Sequence, residues 1–498
     1  MRRTLGGLLF ASALSTQAAA RSIVISQQQG TSPYDLIPPS HCLSTSYFGT
    51  YGQQLTHVFV SEPECTESVE PSFTRGNSPI VVNEASKDEE DKLLCWLEEA
   101  VLDDSIRRVG AKSVAEEIAE FVRRANPSTE ARRMTEQIPM SSSEFNKATV
   151  LYSTPTGALV SISPSLLSHL DMLLPGHIQP TVLPTSPLPL HPTETKSSTK
   201  YLRSVLKNLK FNPDIAALTS TISLSHMQDT ILWLTGEDPS SPIISRHSFS
   251  PGARTAAHWI QKKMEHAGGE CEQKQFLEGF APNVVCKFKG TDDTTGVVIL
   301  SGHYDSRGSF GSVRAPGGDD DGSGVTHVLG IAQAIADNQI SFKTNVELVA
   351  FAGEEQGLLG SRAYAAELRK QNANITLMIQ ADMLAYHDPS EPAQLGLPQF
   401  IGLPEAGQLV ANVSALYAPE LTVGLSAACC SDHQSFHEQG FPATQVFERA
   451  GPIIDPMYHN SGDLSERSGY DLGQVRSIAK VTFATLLEVA GYSLPLEE

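Results

Sequence analysis

The sequence predicts an α/β fold for residues 200–498, a three-layer sandwich in which a central, largely parallel sheet is covered by helices on both faces. Three features predict it. Apolar runs of strand length alternate with longer amphipathic runs of helix length. Acids and histidines cluster just beyond the ends of the apolar runs, where the loops of an open parallel sheet converge. A stretch rich in Pro, Ser and Thr, residues 175–199, has neither period and reads as an extended linker that sets this part apart from what precedes it. With 498 residues, 40% of them hydrophobic, the chain has material for a substantial core and for two or three domains.

In chain order, Arg2 and Arg3 are followed by an apolar stretch around Leu8 to Leu14 and by the small residues Ala18, Ala19 and Ala20. This is the order of a secretory signal, residues 1–20. A membrane anchor is the alternative, but the apolar stretch is shorter than the roughly 20 residues a spanning helix needs. No later segment is long and apolar enough to span a bilayer, so no membrane association is expected. Residues 21–174 mix short apolar stretches with an acidic and basic helical pattern from Glu84 to Ala125, and contain no catalytic constellation. A module attached in this way reads as a pro-region that assists folding or covers the site; a permanent accessory domain is the alternative. Within residues 200–498, strands are predicted at Val297–Leu300, Val346–Phe351, Ile375–Ile379 and Thr444–Phe447. Helices are predicted near Val325–Asp337, Leu358–Gln371 and Val475–Ala490.

A net charge of −20 excludes nucleic acid and anionic membranes as partners, because a surface of that sign repels phosphate. Seven cysteines in a chain expected to be extracellular imply disulfides, with at least one sulfur left over. Cys42 with Cys65 and Cys271 with Cys286 are candidate pairs, the second flanking a predicted hairpin around Gly279–Asn283. The adjacent Cys429 and Cys430 read as one buried thiol beside one partner of a longer bridge.

The decisive pattern is the placement of ligand-type side chains. G-V-V-I-L-S-G-H-Y-D-S places His303 just past a strand, with Asp305 two residues on as a carboxylate able to orient the imidazole. A-P-G-G-D-D-D-G-S-G-V carries Asp319, Asp320 and Asp321 ahead of a helix. One aspartate suffices for a cap, and three adjacent like charges call for a cation. N-V-E-L-V-A-F leads into A-G-E-E-Q-G, where Glu354 and Glu355 diverge, so that one can bind metal while the other reaches a water. Asp382 ends I-T-L-M-I-Q-A-D-M, Asp432 and His433 lie in S-D-H-Q-S-F, and His459 lies in D-P-M-Y-H-N-S-G-D. Each taken singly fits a cap, a polar loop contact or a core histidine. Their recurrence at the same end of several strands points instead to metal-assisted hydrolysis, and oxygen and imidazole donors without thiolate fit zinc, with manganese or cobalt as alternatives. A carboxylate shared by two ions would give a two-metal site with a separation of about 3.5 Å.

The ordered set S-G-H-Y-D-S, G-G-D-D-D-G-S-G, F-A-G-E-E-Q-G-L-L-G-S, Q-A-D-M, S-D-H-Q-S-F and Y-H-N-S-G-D resembles the M28 family of zinc aminopeptidases, and most of all its secreted leucine aminopeptidase branch. The resemblance runs from about Phe211 to the C-terminus. It implies the zinc-exopeptidase fold with a mixed sheet, two zinc ions (Zn2+) per chain and peptide substrates; the expected state is a monomer. By the resemblance, His303 and Asp382 hold one ion and Glu355 and His459 the other, with Asp320 bridging both. Glu354 is then the general base, Asp305 orients His303, Asp432 stands behind the metal site, and the peptide bond between Asp320 and Asp321 is cis. Met383, Phe447 and Tyr458 are candidates for an apolar specificity pocket, ordinary core packing being the alternative.

This sequence also departs from the family. Several secreted members carry C-G-Y-A-C before S-D-H, whereas Ser426, Ala427, Ala428, Cys429 and Cys430 stand here, so the usual loop disulfide and its tyrosine are missing. Asn374 and Asn412 begin N-x-S/T sequons that are candidate glycan sites. Three other readings remain open from sequence: a single-zinc glutaminyl cyclase, a carboxypeptidase gripping a substrate carboxylate through Arg307 or Arg314, and a non-catalytic ectodomain.

Overall fold

The computed structural model describes residues 21–27, 37–66, 79–84, 92–106, 112–126, 147–190, 195–309, 312–428 and 431–495. The expected signal, residues 1–20, and the Cys429–Cys430 pair lie outside them.

The N-terminal part consists of two four-stranded antiparallel sheets. Strands β1 (Arg21–Gln27), β2 (Tyr47–Tyr51), β3 (Thr56–Ser61) and β4 (Ile80–Glu84) pair in the order β2-β3-β1-β4. Strands β5 (Leu93–Glu99), β6 (Ala148–Ser153), β7 (Gly157–Ile162) and β8 (Ile178–Val182) pair in the order β6-β7-β5-β8. Ile23, Ile25 and Val58 of the first sheet share a buried cluster with Leu94, Trp96 and Leu159 of the second, so the two pack face to face. The opposite face of the second sheet is covered by helix α1 (Val114–Ala125), whose Ile118 and Phe121 meet Leu97, Val160 and Ile162. Ser113 and Glu116 close the start of α1 as a reciprocal capping box. A disulfide joins Cys42 to Cys65, as expected.

Two sequence expectations are corrected here. Among the described residues, the helical pattern read from Glu84 to Ala125 is helical only in α1; Leu93–Glu99 forms β5 instead. This strand lies between β7 and β8 and is buried on both faces from Leu94 to Leu97, so it lacks the alternation that marks a half-exposed strand. The stretch 175–199 is not a structureless linker, because Ile178–Val182 forms β8, while Leu183, Leu188 and Leu190 are buried. Pro180 is tolerated because β8 is the edge strand of its sheet.

Helices α2 (Thr195–Asn208), α3 (Pro213–Ser220), α4 (Leu224–Thr235) and α5 (Pro251–His266) lead into the main sheet. Its six strands are β9 (Glu270–Lys274), β10 (Asn283–Phe288), β11 (Gly296–His303), β13 (Asn345–Phe351), β14 (Asn374–Ala381) and β17 (Ala443–Val446), in the order β17-β14-β11-β13-β10-β9. The first four in that order run parallel, and β10 pairs antiparallel with both β13 and β9, so the sheet is mixed. The short pairs β12 (Ser341–Phe342) with β18 (Tyr492–Ser493) and β15 (Gln394–Pro398) with β16 (Thr422–Ser426) lie beside it. Cys271 and Cys286 are directly opposite across β9 and β10 and form the expected disulfide.

Alternation along the strands builds a core on each face. Val298 and Leu300 join residues of α6 (Gly322–Asp337), α8 (Pro404–Tyr417) and α10 (Leu472–Ala490), whereas Ile299 turns to α7 (Leu359–Lys370) and α9 (His433–Glu438) through Tyr364, Leu368 and Phe436. All four predicted strands and three predicted helices form, each adjusted at its ends by a turn or less. From β11 the chain proceeds to β13 on one side and afterwards to β14 on the other, which makes the carboxyl end of β11 a topological switch point.

Candidate active site

The site is built at that switch point. β11 ends on His303, fully buried; β13 leads through Gly353, at φ +72°, to Glu354 and Glu355; β14 ends beside Asp382. The loop before α6 brings in Asp320, and the loop after β17 brings in His459. His303 Nε2 lies 3.2 Å from an Asp320 oxygen, 3.8 Å from Asp382 and 3.9 Å from Glu354. His459 Nε2 lies 3.1 Å from the other Asp320 oxygen and 3.2 Å from Glu355. Two buried three-residue sets result, His303–Asp320–Asp382 and Asp320–Glu355–His459, each with its donor atoms within 4.8 Å of one another. Asp320 belongs to both. Met383 and His459 adopt left-handed backbone at φ +50° and +51°, a strained conformation that β-carbon-bearing residues keep when the surroundings impose it.

The three consecutive aspartates divide their work. Asp319 accepts from Ala385 N, and Asp321 accepts from the backbone N–H groups of His303, Gly324 and Met383, so it caps α6 and ties three elements together. Only Asp320 faces both histidines. The Asp320–Asp321 peptide bond is cis.

Asp305 does more than the sequence suggested. Its backbone oxygen lies 3.2 Å from His303 Nδ1 and its carboxylate 3.6 Å, while the same carboxylate accepts from Glu354 N, Glu355 N and Ser248. It therefore holds the glutamate turn as well as the imidazole. Asp432 is buried behind the site and accepts from Gln380; burial pushes its carboxyl up to about 7. Sequence reasoning missed Arg246, whose buried guanidinium binds the carbonyls of Leu234, Tyr304, Pro316 and Gly317 under the Asp320 loop. It also missed Asp463, which accepts from the N–H groups of Asp319 and Asp320. Asp463 closes the motif Y-H-N-S-G-D, the one signal that pointed to it; no local pattern marks Arg246.

Electrostatics favour a cation. Burial alone would lower the His303 pKa, yet Glu354, Asp305, Asp320 and Asp382 hold it well above the ordinary histidine range. His459 is raised to about 9 against burial, chiefly by Glu355. Glu354 is pushed well up by burial and by its neighbours Asp382 and Glu355, outweighing His303. His303 Nε2 and Glu355 Oε1 are buried without a hydrogen-bond partner. Orphaned nitrogen and oxygen donors that converge on two points beside one shared carboxylate fit metal ions, which satisfy them without further protein groups.

Met383, Phe447 and Tyr458 come together with Ala428 and Ile453, joined by Ala100 from the N-terminal part. They line a cavity of about 30 Å³ with Asp320, Glu354 and Asp382, and Gln179 enters it, donating to the Tyr458 hydroxyl at 2.6 Å. Asn374 and Asn412 are both exposed. Arg307 is buried and committed to main-chain carbonyls, so it does not stand free to grip a substrate carboxylate; Arg314 is exposed.

A model of peptidase family M28 matches residues 283–485, the segment that carries every candidate ligand and the base. A probable leucine aminopeptidase of Arthroderma otae is 30% identical over 261 residues, 49% of this chain and 68% of its own length. The chain belongs to peptidase family M28. Leucine aminopeptidase 1 of Penicillium rubens is 27% identical over 298 residues, 56% of this chain and 74% of its own. The fold of the LapA aminopeptidase of Legionella pneumophila is shared at a TM-score of 0.54 and 18% identity, over 74% of this chain and 98% of that one. As an M28 peptidase, the protein is a hydrolase and a metallo-aminopeptidase.

Proposed function

We propose that this M28 peptidase is a secreted di-zinc enzyme that removes a single apolar, leucine-like residue from the N-terminus of peptides, with Glu354 as general base. The observation that carries the reading is the pair of buried ligand sets sharing Asp320. His303, Asp382 and Asp320 would hold one ion, and Glu355, His459 and Asp320 the other. Zinc suits these donors because all are carboxylate or imidazole, with no thiolate. When bound, the ions supply a Lewis acid that acidifies water and polarises the scissile carbonyl.

The protein's own groups carry the proton. Glu354 lies beside both sets without belonging to either, so it suits a base that takes a proton from the attacking water and returns it to the leaving amine. Met383, Phe447 and Tyr458 offer an apolar wall for the first side chain, and Asp382 and Glu355 offer negative charge for a free amino group. Two metal sets argue against a single-zinc cyclase. Secretion is supported by the Cys42–Cys65 and Cys271–Cys286 disulfides, which persist in oxidising compartments. Exposure of Asn374 and Asn412 suits glycans there, and residues 21–174 would act as a pro-region.

The test is zinc removal and graded restoration on the purified protein, assayed on leucyl amide and N-acetyl-leucyl amide. Activity on the free amine that saturates at two zinc equivalents, with none on the blocked substrate, is expected. Equal rates on both substrates would remove the aminopeptidase specificity, and saturation at one equivalent would remove the second metal.

A further inference from the structure

The N-terminal part of the chain reaches into the metal-ligand shell. His459 Nδ1 lies 2.5 Å from the carbonyl oxygen of Gly176, 283 residues earlier in the chain. A carbonyl only accepts, so Nδ1 carries the hydrogen and Nε2 keeps its lone pair, directed at Asp320 and Glu355. The peptide at Gly176 is thus what selects the tautomer a ligand needs. The fit is close, since a Cβ at Gly176 would lie 3.3 Å from His459 Cβ.

Arg307 holds that peptide in place. Its buried guanidinium donates to the carbonyls of Asp171, Leu174, Pro175 and Ile178, which bracket Gly176 on both sides. The Asp171 carboxylate pairs with His247 of the catalytic part at 3.0 Å, anchoring the start of the same segment. Arg307 NH1 also sits 3.2 Å from His459 Nδ1; a guanidinium only donates, so Nδ1 cannot accept from it while it donates to Gly176, and the shorter 2.5 Å contact is the one that fixes the ring. A five-donor planar fork is the side chain suited to binding several carbonyls at once, and lysine does not reproduce it.

We propose that Arg307 is a positioning residue that acts through the main chain of residues 171–178 to hold His459 with Nε2 ready for metal, so that this segment is a working part of the metal centre and not only of the N-terminal sheets. The proposal rests on the reading of Asp320, Glu355 and His459 as a metal site. It also implies that any processing that leaves the centre intact cuts on the N-terminal side of Asp171.

The experiment is a chelator-competition titration of Zn2+ on full-length wild type, Arg307→Met and Arg307→Lys, with thermal melting of each in excess chelator as the check on folding. Asp382→Asn and Glu355→Gln assign which binding step belongs to which ligand set. Arg307→Met is expected to weaken the step lost in Glu355→Gln by about 10–100-fold, the usual cost of losing a group that orients a ligand, and to leave the step lost in Asp382→Asn within about twofold. Arg307→Lys, which preserves the charge and disturbs packing less, is expected to fall between Arg307→Met and wild type, and decides the matter if the methionine variant does not fold. Wild-type affinity at the Glu355 step in either folded variant overturns the role of Arg307. Absence of that step from the wild type overturns the metal-site reading instead.

Discussion

Glu354 and Glu355 are chemically identical neighbours set in different surroundings by geometry. Glu355 lies 3.2 Å from His459 Nε2 inside a ligand set, while Glu354 stands 3.9 Å from His303 and lines both small cavities at the site. Removing a general base costs about 10²–10⁴ in rate and need not disturb the metals. Glu354→Gln is therefore expected to keep wild-type zinc content by elemental analysis while kcat falls by about that factor; wild-type kcat would remove Glu354 from the mechanism. Asp320→Asn is expected to weaken both zinc steps together, because its two oxygens face different histidines. The gathering of these side chains was legible in sequence because Glu354, Asp320 and the histidines stand in short motifs at strand ends. The double duty of Asp305 was not, since its contacts to Glu354 N and Glu355 N exist only once β11 and β13 lie side by side.

Helix α6 begins where the two ligand sets meet, and Asp321 is the joint. It satisfies backbone donors at the end of β11, in the first turn of α6 and just after β14. Asp321→Ala strands these N–H groups in a buried place, and a loss of about 3 kcal/mol is expected from the cap and the unmet donors together, measured as a lower urea midpoint. At the far edge of the sheet, the Cys271–Cys286 bridge staples β9 to β10 across directly paired residues. Replacing both cysteines by serine is expected to cost about 3 kcal/mol, as for a loop of this length, without changing zinc affinity. The four strands and three helices predicted within residues 296–490 were readable because each buries one face or is buried outright. β5 and β8 were not: the first has no alternation, and the second carries Pro180 in a stretch whose composition resembles a linker.

Across the whole molecule, the N-terminal sheets close over the catalytic end of the main sheet. Glu98 of β5 and Gln179 and Thr181 of β8 line a cavity of about 30 Å³ together with Arg307, Glu354 and His459. A space of that size admits a water or two, well short of the roughly 300 Å³ or more of a small-molecule pocket. Glu98 gives the docking of these strands a pH dependence. It is partly buried, and burial raises its carboxyl to about 7, partly offset by the N–H of Gln53. An unfolded glutamate titrates near 4.3. The folded form thus binds the extra proton between these values, so the contribution of Glu98 is full below about pH 4.3 and is lost as pH rises through about 7. With its partial exposure discounted, the swing is about 1–2 kcal/mol. The melting temperature of wild type relative to Glu98→Gln is expected to fall between pH 5 and pH 8; a constant difference would show that Glu98 does not titrate in this window.

Sequence alone pointed to the reaction class, the five ligand candidates, the candidate base and the α/β architecture, because motif identity and hydrophobic period are local properties that each segment carries with it. Only the tertiary structure decided how residues 171–182 are used. Their contacts with Arg307, Tyr458 and His459 span 129 to 283 positions of chain, and nothing in the composition of either partner announces the other. Hydrogen bonds between such distant segments are set by how the two halves of the molecule pack, which is the information a one-dimensional pattern does not hold.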